Sequence, residues 1–187
     1  MRRTRVAHIS AGRYGAIALG AMVLALGAVA PAAAQAAVPK TLYVSQGGLN
    51  SGTCTSASPC ATVSYALTKA ASGATIEVSG TIDDNLTISS PVTITTWPGG
   101  PAGSPAVLDG TASGEGVTVD SGVVGVALDD LTVENGSAYY SGGILNHGTL
   151  TLTDSTVSGN NGSFGAGIGN YGTMTIIAST IAENSGG

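Results

Sequence analysis

Gly143-Ile-Leu-Asn-His-Gly-Thr-Leu-Thr-Leu-Thr-Asp-Ser-Thr-Val-Ser-Gly-Asn160 and Gly167-Ile-Gly-Asn-Tyr-Gly-Thr-Met-Thr-Ile-Ile-Ala-Ser-Thr-Ile-Ala-Glu-Asn184 are two copies of one pattern, at a constant offset of 24. Gly143/Gly167, Ile144/Ile168, Asn146/Asn170, Gly148/Gly172, Thr149/Thr173, Thr151/Thr175, Ser155/Ser179, Thr156/Thr180 and Asn160/Asn184 are identical. Leu150/Met174, Leu152/Ile176 and Val157/Ile181 stay apolar. A fixed period of this length is the signature of stacked repeats, in which each unit covers the apolar face of its neighbour.

Within each copy the apolar residues alternate with Thr, so the local period is two and the elements are short strands with one face inward. The same alternation runs back through Ile76/Val78, Leu86/Ile88, Val92/Ile94, Val117/Val119 and Val126/Leu128. Because identical residues recur at one offset, the strands are collinear and stack in parallel register, about 4.8 Å apart. Leu150 then lies beneath Met174 and Leu152 beneath Ile176. A degenerate third copy places Val126, Leu128, Thr132 and Val133 under Leu150, Leu152, Thr156 and Val157, with Tyr139-Tyr140 at its last corner.

Each repeat carries three apolar clusters, such as Ile144, then Leu150 with Leu152, then Val157. The repeat divided among three sides leaves eight positions per side with its corner. The expected fold is all-β: a right-handed, single-stranded parallel β-helix of three short sheets, with residues 74–187 forming between four and five coils. Asn146-His147-Gly148 and Asn170-Tyr171-Gly172 fall at corners, where stacked asparagines can satisfy one another's amides coil by coil. Asn160 and Asn184 are placed in the same way.

Residues 1–36 are different in kind. Arg2, Arg3, Arg5 and Arg13 precede an apolar run from Ala16 to Ala30 and a small-residue string ending in Ala34-Gln35-Ala36. That is the layout of a secretory signal peptide cleaved after Ala36, and the run is too short and too rich in Ala and Gly for a spanning helix. The expected location is outside the cell or at its surface, with no stable membrane span after cleavage. Removal of the four arginines leaves Lys40 and Lys69 against eleven acidic residues, a net charge of 2 − 11 = −9. Such a field repels nucleic acid and acidic polysaccharides.

Residues 37–73 form an N-terminal unit. Thr41-Leu-Tyr-Val-Ser45 is expected as an edge strand. Cys54 and Cys60, an even pair in an exported chain, are expected to form a disulfide; the single histidine beyond the signal, His147, leaves no partner set for zinc. Ser58-Pro59 has the pattern of an N-cap and first helical residue. Val63, Ala66, Leu67 and Ala70 follow at helical spacing, which predicts one short helix lying as a lid over an end of the stack.

Tyr43-Val-Ser with Cys54-Thr-Ser-Ala-Ser-Pro-Cys60-Ala-Thr-Val-Ser-Tyr-Ala-Leu67, and the downstream Gly142-Gly-Ile-Leu-Asn-His-Gly-Thr-Leu-Thr-Leu152 and Ser155-Thr-Val-Ser-Gly-Asn160, resemble secreted bacterial right-handed β-helix proteins of the pectate-lyase-like superfamily. The repeats are also similar to those of polymorphic outer-membrane proteins. The resemblance implies the fold and a choice among lyases, hydrolases, adhesins and non-catalytic proteins. Its lyases pair a basic residue, commonly Arg, with acidic calcium ligands, and no Arg follows Arg13 here. Its hydrolases cluster aspartates. Its members also end in a cap, whereas this chain ends Asn184-Ser-Gly-Gly187, so further coils or a partner chain are expected over that end.

The candidate sites are few. Asp130 and Asp154 stack one coil apart with Asp129 adjacent, a set that suits an acid/base pair or a calcium site, or solvated corner residues. Trp97, in the Pro- and Gly-rich run Trp97–Pro105, is expected on a projecting loop, where it can stack on a sugar or fold back over the coils. Tyr139 and Tyr140 are expected at a neighbouring corner. No cofactor is expected apart from calcium. Three functions follow: a secreted, non-catalytic scaffold acting in adhesion or contacting polysaccharide or cell-surface glycan, a polysaccharide lyase or hydrolase built on Asp129, Asp130 and Asp154, and a sugar-binding module acting through Trp97.

Overall fold

The computed structural model describes residues 40–103 and 105–186. The expected signal segment 1–36 and its cleavage point lie outside these residues.

The chain winds as a parallel β-helix. Strand β1 (Thr41–Ser45) begins the stack, and the disulfide loop and helix α1 (Val63–Leu67) follow it. The next coil contains β2 (Ala74–Ser79), β3 (Thr81–Asp83) and β4 (Leu86–Ile88). It is followed by β5 (Val92–Thr96), β6 (Ala106–Asp109) and β7 (Val117–Val119), and then by β8 (Val126–Asp129), β9 (Leu131–Glu134), β10 (Ser137–Ala138) and β11 (Ile144–Asn146). Last come β12 (Thr149–Thr153), β13 (Thr156–Ser158), β14 (Asn161–Gly162) and β15 (Ile168–Asn170), then β16 (Thr173–Ile177) and β17 (Thr180–Ala182).

Three sheets form the sides, in the orders β1-β2-β5-β8-β12-β16, β3-β6-β9-β13-β17 and β4-β7-β11-β15, with a two-stranded β10-β14 ribbon at one corner. All the strand pairings are parallel. The repeat sets the register: Leu150 pairs with Met174 and Val126, Leu152 with Ile176 and Leu128, and Val157 with Ile181 and Val133.

The constant period holds only in the last coils. Thr41 pairs with Thr75 and Thr93 with Ala127, both after longer turns, while Ala74 pairs with Val92 after a shorter one. The difference sits at corners. Residues 97–105 intervene between β5 and β6, whereas Gly80 alone joins β2 to β3. Gly80, Asp130, Asp154 and Ala178 each turn this corner in the left-handed region, with φ of 83°, 49°, 46° and 48°. A single left-handed residue redirects the chain between sheets, and Asp tolerates that conformation better than Ala does.

The core is the stack of inward columns, Ile76, Ile94, Leu128 and Leu152 among them, all fully buried. At the last coil the same columns reach solvent, and Ile176 and Ile181 are exposed. At the other end β1 is covered: Tyr43 N–H donates to Cys54 O at 2.9 Å, while Ser45 N–H reaches Cys60 O at 3.0 Å. The Cys54–Cys60 disulfide closes this loop. Val63 and Ala66 of α1 are buried against the core, with Leu67 and Ala70 packed beside them.

The helix start differs from the expected one. Thr62 is the N-cap, its hydroxyl accepting from Tyr65 N–H at 3.2 Å, and Asn50 Oδ1 in turn accepts from the backbone N–H of Ala61 and Thr62. Ser58 instead donates its backbone N–H to Thr55 O at 3.0 Å, and the Pro59 carbonyl accepts from Leu49. The disulfide turn holds Ser58-Pro59 outside the helix, so the threonine three residues before Tyr65 takes the capping role. Among the described residues, no helix is long and apolar enough to cross a membrane.

Candidate functional site

Buried polar side chains on a scaffold of this kind belong either to the stack or to a site, so their bonding decides between the two. Asn146 is fully buried. Its Nδ2 donates to Asn170 Oδ1 at 2.7 Å and to Thr173 O at 3.1 Å, and its Oδ1 accepts from Gly148 N–H. Asn160, equally buried, donates to Val133 O and Asn184 Oδ1 and accepts from Gly136 N–H. Asn184 repeats the bond one coil on, to Val157 O at 2.9 Å. No buried side-chain nitrogen or oxygen lacks a partner among the described residues. These asparagines are consumed by the stack, leaving no donor or acceptor aimed outward.

Gly148 and Gly172 are set by close approach. A Cβ on Gly172 would stand 2.1 Å from Gly148 O, and one on Gly148 would stand 2.5 Å from Val123 O. Two serines join this framework. Buried Ser141, which no repeat partner marks in the sequence, donates to Ile144 O and accepts from Gly169 N–H across two coils. Ser155, which the repeat does mark, accepts from Leu131 N–H.

The three aspartates stand at and beside one corner, with Asp130 and Asp154 in adjacent coils. Asp129 lies on the outer face of its sheet, opposite Thr95 and Thr153. Asp130 and Asp154 are exposed corner residues whose backbone N–H groups donate to Thr153 O and Ile177 O. Their column passes to Ala178 in the next coil. A different acidic column, Asp83, Asp109 and Glu134, stands in register on the neighbouring sheet. Its spacing departs from the common period, so periodicity in the sequence does not reveal it. There Asp109 is already engaged, accepting from Thr111 N–H at 2.7 Å and Asn135 Nδ2 at 2.8 Å. Among the described residues no three His, Cys, Asp or Glu side chains converge as metal ligands.

The aromatic residues separate into two groups. Trp97 does not project: its half-buried ring packs on Tyr43 with centroids 4.8 Å apart, against the first coil. Tyr139 and Tyr140 are 64% and 53% exposed, and they meet Phe164, itself 68% exposed. Tyr139 is edge-on to both, with centroids 5.2 Å away in each case, and Tyr140 stacks on Phe164 at 6.2 Å. Beside them His147 and Tyr171 stack at 5.3 Å and 18° between planes. Tyr140, Leu145, His147 and Tyr171 line a cleft of about 340 Å³.

Phe164 and Tyr171 carry no motif of their own, yet the repeat points to them. They stand one repeat after Tyr140 and His147, so each aromatic column simply continues for one more coil. Exposed aromatic side chains gathered on one face are uncommon on a soluble surface and mark a contact region. The fold and this face define a parallel β-helix protein with an outward aromatic patch. Comparison with protein-family models, with curated proteins and with solved structures finds no match.

Proposed function

We propose that the protein is a secreted, non-catalytic β-helix scaffold that contacts glycans, outside the cell or at its surface, through the aromatic face formed by Tyr139, Tyr140 and Phe164. The observation that carries this reading is the exposure of three mutually packed rings on a backbone whose other unusual residues are engaged in stacking. Aromatic rings offer flat apolar area at small entropic cost, and the C–H face of a pyranose is complementary to it. The disulfide and the Arg-then-apolar N-terminal segment support export. The acidic balance supports a neutral polymer as the partner rather than an anionic one.

The test is retention of the purified chain on immobilised cellulose, chitin and dextran. Retention of the wild type by at least one polymer, lost in the Tyr139→Ala/Phe164→Ala double variant, is the expected result; equal retention of both proteins would sink the reading. Release of soluble sugar products that Asp130→Ala abolishes would replace it with a polysaccharide-cleaving enzyme.

A further inference from the structure

Leu145 is the outward residue of β11, flanked by inward Ile144 and Asn146, yet it is only 8% exposed. Its column neighbours are Thr118 below and Gly169 above. Gly169 lacks the side chain that would otherwise lie over Leu145: a Cβ there would stand 3.4 Å from Leu145 Cδ1. The result is a slot lined by the Leu145 side chain, the stacked His147 and Tyr171 rings, and Tyr140. Tyr140 also belongs to the exposed patch, so slot and patch are continuous.

The geometry points to a neutral pyranose bearing a methyl substituent as the occupant, an acetamido or a 6-deoxy sugar, with the methyl on Leu145 and the ring against Tyr140 and Tyr171. This inference rests on the reading of the aromatic face as a glycan contact. Three features select that chemistry. A cleft of about 340 Å³ is at the lower end of the size of ligand pockets, enough for one ring and its substituent. Its lining carries no carboxylate, Lys or Arg, and the acidic excess of the chain disfavours uronic or sulfated sugars. Leu145 is a saturated side chain, which complements a methyl group rather than a hydroxyl, because a hydroxyl placed there would lose its hydrogen bonds to water. The Tyr140 and Tyr171 hydroxyls and the His147 imidazole supply polar groups for the ring hydroxyls.

The experiment is ligand-observed saturation-transfer NMR with titration, using N-acetylglucosamine against glucose and L-rhamnose against L-mannose. Binding of at least one methyl-bearing sugar about fourfold tighter than its parent, the gain from burying one methyl, is the expected result. Its methyl protons should receive the strongest saturation. The pair showing the preference identifies the acetamido or the 6-deoxy source. Leu145→Ala should bring the ratio near one; because Leu145 is only 8% exposed the variant should also melt at a lower temperature, so binding is read well below its transition. Should it misfold, Tyr171→Ala at an exposed position should weaken the methyl-bearing sugar by about tenfold. Equal binding of sugar and parent, or a preference unchanged in Leu145→Ala, overturns the inference; preferential binding of choline or of a Leu-Phe dipeptide overturns it as well. If polymers are still retained through Tyr139 and Phe164 while the ratio is one, only the slot assignment fails. If neither polymer nor sugar binds, the glycan reading fails with it.

Discussion

Asn146 donates its side-chain amide to Asn170 Oδ1 at 2.7 Å, but the two members of the pair are not equivalent: Asn146 is fully buried and Asn170 is exposed on the last coil. Asn146→Ala leaves the buried Gly148 N–H without a partner, at a cost of about 1–3 kcal/mol, and also removes the bond to Thr173 O on the exposed last coil. A loss of about 3 kcal/mol is expected for Asn146→Ala and about 1 kcal/mol or less for Asn170→Ala. Urea denaturation of both variants checks this, and equal losses would contradict the asymmetry.

Ala178 occupies the left-handed corner that Gly80 fills in an early coil, at φ 48° against 83°. An L-residue with a Cβ pays about 1 kcal/mol there, part of which glycine returns as unfolded-chain entropy. Ala178→Gly should therefore stabilise the domain by up to about 1 kcal/mol. A drop in the thermal midpoint would count against the strain argument.

The Cys54–Cys60 bridge closes a loop whose carbonyl groups pair with β1. Replacing both cysteines with serine should cost about 2 kcal/mol by the chain-entropy account of a loop this short. Hydrogen exchange should show the loss first at Tyr43 and Ser45, whose N–H groups donate to Cys54 O and Cys60 O. Uniform loss of protection across all coils would assign the bridge a global role instead.

Leu150 and Thr151 are neighbours on opposite faces of β12, one fully buried and one half-buried on the outside. Leu150→Asp places an unpaired charge in the apolar column and should abolish cooperative melting. Thr151→Asp should shift stability by about 1 kcal/mol at most. Similar behaviour of the two variants, followed by circular dichroism, would refute the period-two assignment.

The register of the C-terminal coils is legible in the residues alone because the columns Val126–Leu150–Met174 and Val133–Val157–Ile181 recur at a constant offset. The coil lengths nearer the N-terminus are not legible this way. Parallel pairing constrains only strand residues, and corners accept any number of residues that returns the chain to the sheet. Trp97 has two open placements in sequence, since a Pro- and Gly-rich run specifies a loop but not which surface its aromatic meets; Tyr43, far earlier in the chain, supplies that surface. The aspartates stand out by their chemistry. Asp130 and Asp154 are corner residues with positive φ, one of the placements that residue type left open in the sequence. The aromatic cleft is half legible: Tyr140 marks a corner, while Leu145 carries no mark because an alternating strand pattern does not say which outward residue its neighbours will cover.

Residues 97–105 are accommodated between β5 and β6 while β5 stays paired with β2 below and β8 above. Height along the helix axis thus follows the number of coils and not the length of chain within each. The short turn from Ala74 to Val92 and the long one from Thr93 to Ala127 each advance the stack by one strand spacing, so a homologue half as long again could stand no taller. Insertions at such corners would widen the outer contour without disturbing the apolar columns, which lets the exterior of this molecule diversify while its interior remains constant.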